Sequence, residues 1–222
     1  MKNKKLIISF IVFSLSLMLS AQQVVDAFTS MKDEYYLSLP SAQRKEMVNA
    51  YYTDSVTARK NKFRGVSSIT VIDTINQFIS VQNSKNARVD LKVLQSQITN
   101  SVYYYALVFT ACAPICDSYI GFYDTNWAFI KGTFMPKVKI TNFFDTEKII
   151  ADGKTVSSIA EHFDIVFVEL RFLDNGNNIE AVLNSGKYLD KENYTKLKKY
   201  LKGDKILYDW KNDTFVINKC YW

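Results

Sequence analysis

Residues 88–123 read RVDLKVLQSQITNSVYYYALVFTACAPICDSYIGFY, and this stretch decides the fold. Val89, Leu91 and Val93 alternate with Arg88, Asp90 and Lys92. That period of two predicts a strand with one face buried and the other in water. Val102 to Ala111 does not alternate. Tyr103, Tyr104, Tyr105, Leu107 and Phe109 place apolar or aromatic groups on both faces, which predicts a central strand covered on both sides. Runs from Tyr119 to Tyr123 and from Trp127 to Ile130 follow at short intervals. Such connections force antiparallel neighbours, because a parallel crossover needs about a dozen or more residues.

Upstream, Asn83-Ser84-Lys85-Asn86 reads as a hairpin turn, and Ile69, Val71, Ile75, Ile79 and Val81 sit in short β-branched runs. Val24, Ala27, Phe28, Met31 and Tyr35 recur at helical steps and predict a helix over 24–37. Pro40 separates it from a second helix over 41–52, with Met47, Val48 and Tyr51 inward. Downstream, Thr155 caps a short helix whose Val156, Ile159, Ala160 and Phe163 share a face. Two apolar runs, Ile165 to Phe172 and Ile179 to Leu183, flank Asp174-Asn175-Gly176-Asn177, a strong hairpin signal. Asp190 caps a lysine-rich helix reaching about Leu201, with Tyr194, Leu197 and Leu201 inward. A last hairpin joins Ile206 to Trp210 and Phe215 to Ile217 around Lys211-Asn212-Asp213-Thr214. The expected class is α+β: a large, mostly antiparallel sheet, a meander of hairpins, with N-terminal and C-terminal helices packed on it.

The 222 residues are 48% apolar and 23% charged with 7 Gly and 3 Pro, which excludes collagen-like and disordered classes. Residues 1–21 carry Lys2, Lys4 and Lys5, an apolar and serine-rich stretch from Leu6 to Leu19, then Ser20-Ala21. This is the order of a secretory signal peptide, and its apolar core is shorter than the about 20 residues of a membrane helix. The expected mature chain, 22–222, is a single exported domain with no stable transmembrane span. Removing three lysines lowers the net charge from +6 to +3, too little for a nucleic-acid-binding face. The Lys196, Lys198, Lys199 and Lys202 cluster reads as a solvated helix face.

The block Thr110-Ala111-Cys112-Ala113-Pro114-Ile115-Cys116-Asp117-Ser118, running into Phe122-Tyr123-Asp124-Thr125-Asn126-Trp127, resembles a Cys-x-Pro-x-x-Asp-Ser … Phe-Tyr-Asp-Thr-x-Trp pattern. That pattern belongs to a family of exported proteins of unknown function typical of Bacteroides-type bacteria, domain of unknown function three-two-five-six. Phe28, Met31, Leu39-Pro40, Arg44 and Tyr51 fit the family upstream, and Tyr188-Leu189 and Tyr208-Asp209-Trp210 fit downstream. Lys32 departs from the proline expected after Met31, and Ser118-Tyr119-Ile120 lacks the arginine that often follows the serine. The resemblance implies an exported protein of a Gram-negative periplasm or cell envelope. It supplies no catalytic residue to carry over.

Chemistry is sparse. Cys112 and Cys116 bracket three residues between two expected strands, and a tight hairpin brings such Cα atoms within the about 4.4–6.8 Å of a disulfide. Export permits oxidation, although Cys220 leaves three pairings open. Three intervening residues do not match the two of a thiol-oxidoreductase motif. The single histidine, His162, lies at an expected helix end with no nucleophile elbow in the sequence. Asp117, Asp124, Asp145, Glu147 and Glu169 are candidate carboxylates for glycoside hydrolysis, with Asp117 and Asp124 read as hairpin stabilisers. No catalytic set, metal site or cofactor is expected. Thirty-two aromatic residues favour core packing, and Trp127, with Tyr123 and Asp124 beside it, is the expected ligand surface. The reading is a non-enzymatic binding module whose partner is an envelope protein or a glycan. Its rivals are a carboxylate-dependent hydrolase of envelope or dietary glycans and a structural accessory of an outer-membrane assembly.

Overall fold

The computed structural model describes residues 23–132, 134–163 and 165–222. The leader reading, residues 1–21, lies outside the described residues. The fold is α+β, built on two antiparallel sheets. Residues 23–30 form α1 and Ser41–Tyr52 form α2. Six strands then run in sequential order: β1 (Arg59–Lys60), β2 (Val66–Asp73), β3 (Phe78–Ser84), β4 (Ala87–Gln95), β5 (Tyr103–Cys112) and β6 (Cys116–Tyr123). After α3 (Thr146–Ala151) and α4 (Val156–Ala160), four strands make the second sheet in the order β10-β9-β8-β7. These are β7 (Val168–Phe172), β8 (Ile179–Leu183), β9 (Lys205–Lys211) and β10 (Thr214–Tyr221), with α5 (Lys191–Lys198) between β8 and β9.

Two cores lie on the two faces of the first sheet. Val89, Leu91, Val93, Tyr105 and Leu107 pack with Val24, Phe28, Met47 and Val48 of the N-terminal helices. Leu94, Ala106, Val108 and Phe122 pack with Leu170, Ile179, Tyr208 and Trp210 of the second sheet. This corrects the reading of β4 as half exposed. Its Arg88, Asp90 and Lys92 face the second sheet, and Asp90 and Lys92 are 3% and 0% exposed. The burial is tolerated because each charge has partners. Asp90 accepts from Ser80 Oγ at 2.6 Å and from Arg88 Nε at 2.8 Å. Lys92 Nζ donates to the carbonyls of Asn76 and Gly176, both at 2.6 Å.

The two sheets meet along β6 and β7. Val168 N donates to Asp117 Oδ1 at 2.9 Å, and Leu170 N donates to Ser118 Oγ at 3.0 Å. Side chains of one sheet thus satisfy the edge strand of the other, which closes an edge open to further pairing.

The first helix stops at residue 30, not 37. A helix end leaves its last carbonyls without partners. Here the buried Arg44 takes them instead of another helical turn. It donates to Phe28 O at 2.9 Å, to Met31 O, and to Leu39 O across the turn. Asp33 stands 3.3 Å from Arg44 and accepts from Ser41 N, so the chain folds back there.

The turn chemistry is local. Gly176 (φ 79°) lies in the β7–β8 hairpin, and Asn212 (φ 49°) and Asp213 (φ 59°) lie in the β9–β10 hairpin. Asp190 caps α5 by accepting from Asn193 N, and Thr155 caps α4 through Ser158 N. Trp127 to Ile130 forms no strand beyond a single bridge, Tyr123 to Phe129. Asp124 Oδ1 accepts from the N–H groups of Asn126 and Ala128 and winds that segment into a turn. Cys112 and Cys116 stand directly opposite in the β5–β6 ladder, with sulfurs 1.99 Å apart and Cα atoms 3.9 Å apart. Among the described residues no helix is long and apolar enough to cross a membrane.

Candidate functional site

Trp127 and Tyr123, expected on a ligand surface, are 2% and 5% exposed. Trp127 packs 4.8 Å from the Tyr105 ring and 5.4 Å from Tyr123, which lies 4.7 Å from Tyr35. The positive φ of Trp127, 61°, sits where the Asp124 turn reverses the chain, and the indole is part of the helix-side core. Asp124 is the acceptor of that turn, so this trio builds structure and offers no exposed platform.

Three of the other four candidate carboxylates also have structural partners. Asp117 receives Val168 N, and Asp145 caps α3 through Lys148 N. Glu169 lies 2.7 Å from Arg171 and 3.3 Å from Arg88. Burial raises the Glu169 carboxyl, but the hydrogen bonds and charges of the two arginines outweigh it and hold it below its ordinary range. Asp90 moves the other way, because burial outweighs Arg88. Glu147 and His162 are exposed. Among the described residues no group of three metal-ligating side chains converges.

What the fold does assemble is a cleft of about 450 Å³ where two turns from different sheets approach. One wall is the β2–β3 turn. Asp73 Oδ1 accepts from Ile75 N and Asn76 N at 3.0 and 2.9 Å, and Asp73 Oδ2 accepts from Asn76 Nδ2 at 2.8 Å. Those Asn76 hydrogen bonds hold the Asp73 carboxyl below its ordinary range. Gln77 follows in the left-handed region (φ 54°). Its main-chain oxygen accepts from Val93 N at 2.9 Å, and its Oε1 accepts from Val24 N at 3.0 Å. The start of α1 is therefore fixed against the same turn. The opposite wall is the β7–β8 turn, through Gly176 and Asn177. Val93, Gln95 and Tyr103 form the floor, with Gln95 and Tyr103 cross-strand partners.

Lys92 ties the walls together from behind, since its ammonium donates to one carbonyl in each turn. Burial pushes that ammonium down to about 8, against a smaller opposing pull from Asp73. The lining is chemically uniform. It holds amides (Gln23, Asn76, Gln77, Gln95, Asn177), the Thr74 hydroxyl, and the Tyr103, Val93 and Ile75 side chains. Among the described residues no carboxylate, lysine, arginine, histidine or cysteine lines it. None of the residues expected to form a site lies in this cleft. The one local signal was Asp73 three residues before Asn76 ahead of a strand, an Asx-turn pattern. The approach of residue 176 to residue 76 has no local signal.

The profile of the family described as "Protein of unknown function (DUF3256)" matches residues 16–215. A solved structure, that of a domain of an uncharacterized protein from Porphyromonas gingivalis W83, is similar with a TM-score of 0.71 and 16% sequence identity. The match covers 88% of this chain and 98% of that one, and at such identity it speaks to the fold alone. No curated protein matches. With nearly the whole described chain inside the family profile, this protein belongs to the DUF3256 family.

Proposed function

We propose that the protein is a non-enzymatic binding module of the periplasm or cell envelope, and that the cleft between the two turns is its ligand site. One observation carries the reading. The cleft offers hydrogen-bonding amides, hydroxyls and an aromatic ring, and among the described residues no carboxylate, histidine, cysteine or lysine lines it to serve as acid, base or activated nucleophile. Export rests on the charged, apolar and small-residue order of residues 1–21. The Cys112–Cys116 bridge supports it, since such bonds persist in oxidising compartments.

Two measurements test this. Fractionation of cells making the tagged full chain is expected to place a form beginning at Gln22 in the envelope fraction. A cytoplasmic protein retaining residues 1–21 overturns the localisation. For the site, a photo-crosslinking amino acid replaces Ile75, which is 90% exposed at the cleft rim. The same group at Ile150, also exposed, is the control. An adduct from envelope material at position 75 and not at 150 is expected. Equal labelling at both positions removes the cleft as the site.

A further inference from the structure

We infer that the cleft takes an uncharged carbohydrate chain, held by side-chain amides and hydroxyls over the Tyr103 ring. This rests on the reading of the cleft as a binding site and names its ligand class.

The first argument is charge. A carboxylated or phosphorylated ligand needs a cation, and among the described residues none lines the walls. The Lys92 ammonium, bonded to the carbonyls of the lining residues Asn76 and Gly176, is itself fully buried. The second is hydrogen-bonding capacity. Asn177, the Gln95 side-chain oxygen and the hydroxyls of Thr74 and Tyr103 line the cleft. Gln95 Nε2 is oriented by a 2.7 Å bond to Asn100 O, which fixes the plane of its amide. Amides and hydroxyls present donors and acceptors side by side, as sugar hydroxyls do. The third is apolar surface. Tyr103 and Val93 supply a C–H-compatible floor beneath the polar rim. The volume falls within the about 300–1,000 Å³ of small-ligand sites.

An extended peptide is the natural competitor, and the topology argues against it. Strand addition needs an unpaired sheet edge. The floor residues Gln95 and Tyr103 pair with each other across β4 and β5. On the outer side of β4, Val93 N donates to Gln77 O and Gln95 O accepts from Trp210 Nε1, so an incoming strand does not find these groups open.

The test is isothermal titration of the purified protein with three probe sets: neutral hexasaccharides (glucose-, mannose- and xylose-based), oligogalacturonate, and uncharged hexapeptides. At least one neutral hexasaccharide is expected to bind, and Tyr103→Ala and Asn177→Ala are each expected to weaken it by about tenfold. Asn177→Ala keeps the test valid if Tyr103→Ala compromises folding, and Ile150→Ala is expected to change nothing. Binding of oligogalacturonate or peptide in preference, with the same loss on Asn177→Ala, overturns the carbohydrate assignment and leaves the cleft as a site. No binding by any neutral hexasaccharide overturns the assignment. Binding that both cleft variants leave intact overturns the cleft itself.

Discussion

The helical hairpin and the cleft solve the same problem with different cations. In both, a fully buried basic side chain gathers main-chain carbonyls from segments that would otherwise splay apart. Arg44 reaches Phe28, Met31 and Leu39 with a planar fork, and has Asp33 beside it. Lys92 reaches Asn76 and Gly176, and among the described residues it has no ion-pair partner. Guanidinium stays charged across the accessible pH range, whereas a buried ammonium can give up its proton. The hairpin is therefore held by a fixed charge. The cleft is held by an amine whose charge burial disfavours and which can give up its proton near pH 8.

Loss of the Arg44 fork costs the fold most. Arg44→Met leaves three carbonyls without a donor and is expected to cost about 3–5 kcal/mol in urea unfolding. Arg44→Lys is expected to recover less than half, since one ammonium cannot span the same geometry. Full recovery by lysine would erase the distinction drawn here. Lys92→Met orphans two carbonyls and also removes a buried charge, so its expected cost is smaller, about 2–3 kcal/mol. Amide exchange is expected to speed up at 74–77 and 174–177 and to stay unchanged at 28–44. Uniform acceleration would mean that Lys92 supports the whole fold and not the cleft.

A covalent closure provides the reference for these ionic ones. Cys112→Ser with Cys116→Ser opens a short loop and is expected to cost about 2 kcal/mol. Thiol titration of the unfolded, unreduced wild type should find Cys220 alone; three titrating thiols would remove the bridge from the comparison.

The pH dependence is of similar size to the loss of the disulfide. Lys92 titrates near 10.5 when unfolded and at about 8 in the fold. Between those values the unfolded chain holds the extra proton, so stability rises with pH across the window and is flat below it. Relative to Lys92→Met, the wild type is expected to gain about 2 kcal/mol between pH 7 and 9.5. Parallel profiles for the two proteins would mean that the ammonium is not perturbed.

Sequence was a good guide wherever a signal is local. Asn175-Gly176, Asp190 and Thr155 act in the structure within a few residues of themselves. The double-sided β5 lies between two cores, as its unbroken apolar run implies. The failures share a cause. Arg88, Asp90 and Lys92 alternate like a solvent face, and nothing near them announces that β7, some 80 residues later, will cover it. Lys92 finds one partner 16 residues away and the other 84. Trp127 follows turn residues that usually point outward, and the Asp124 turn carries it inward instead. The cleft is a meeting of two distant turns, which no spacing encodes.

The sequential strand order has a consequence for how the chain is made. β1 to β6 are complete by Tyr123, whereas β7 begins at Val168. Whenever the first sheet forms before the second emerges, Leu94, Ala106, Val108 and Phe122 wait uncovered. In that interval Arg88, Asp90 and Lys92 stand among them in water, where charge is cheap and self-association is discouraged. The alternation that misrepresents the finished strand describes the unfinished one. These three residues act as wardens of a half-built sheet before they become its buried staples.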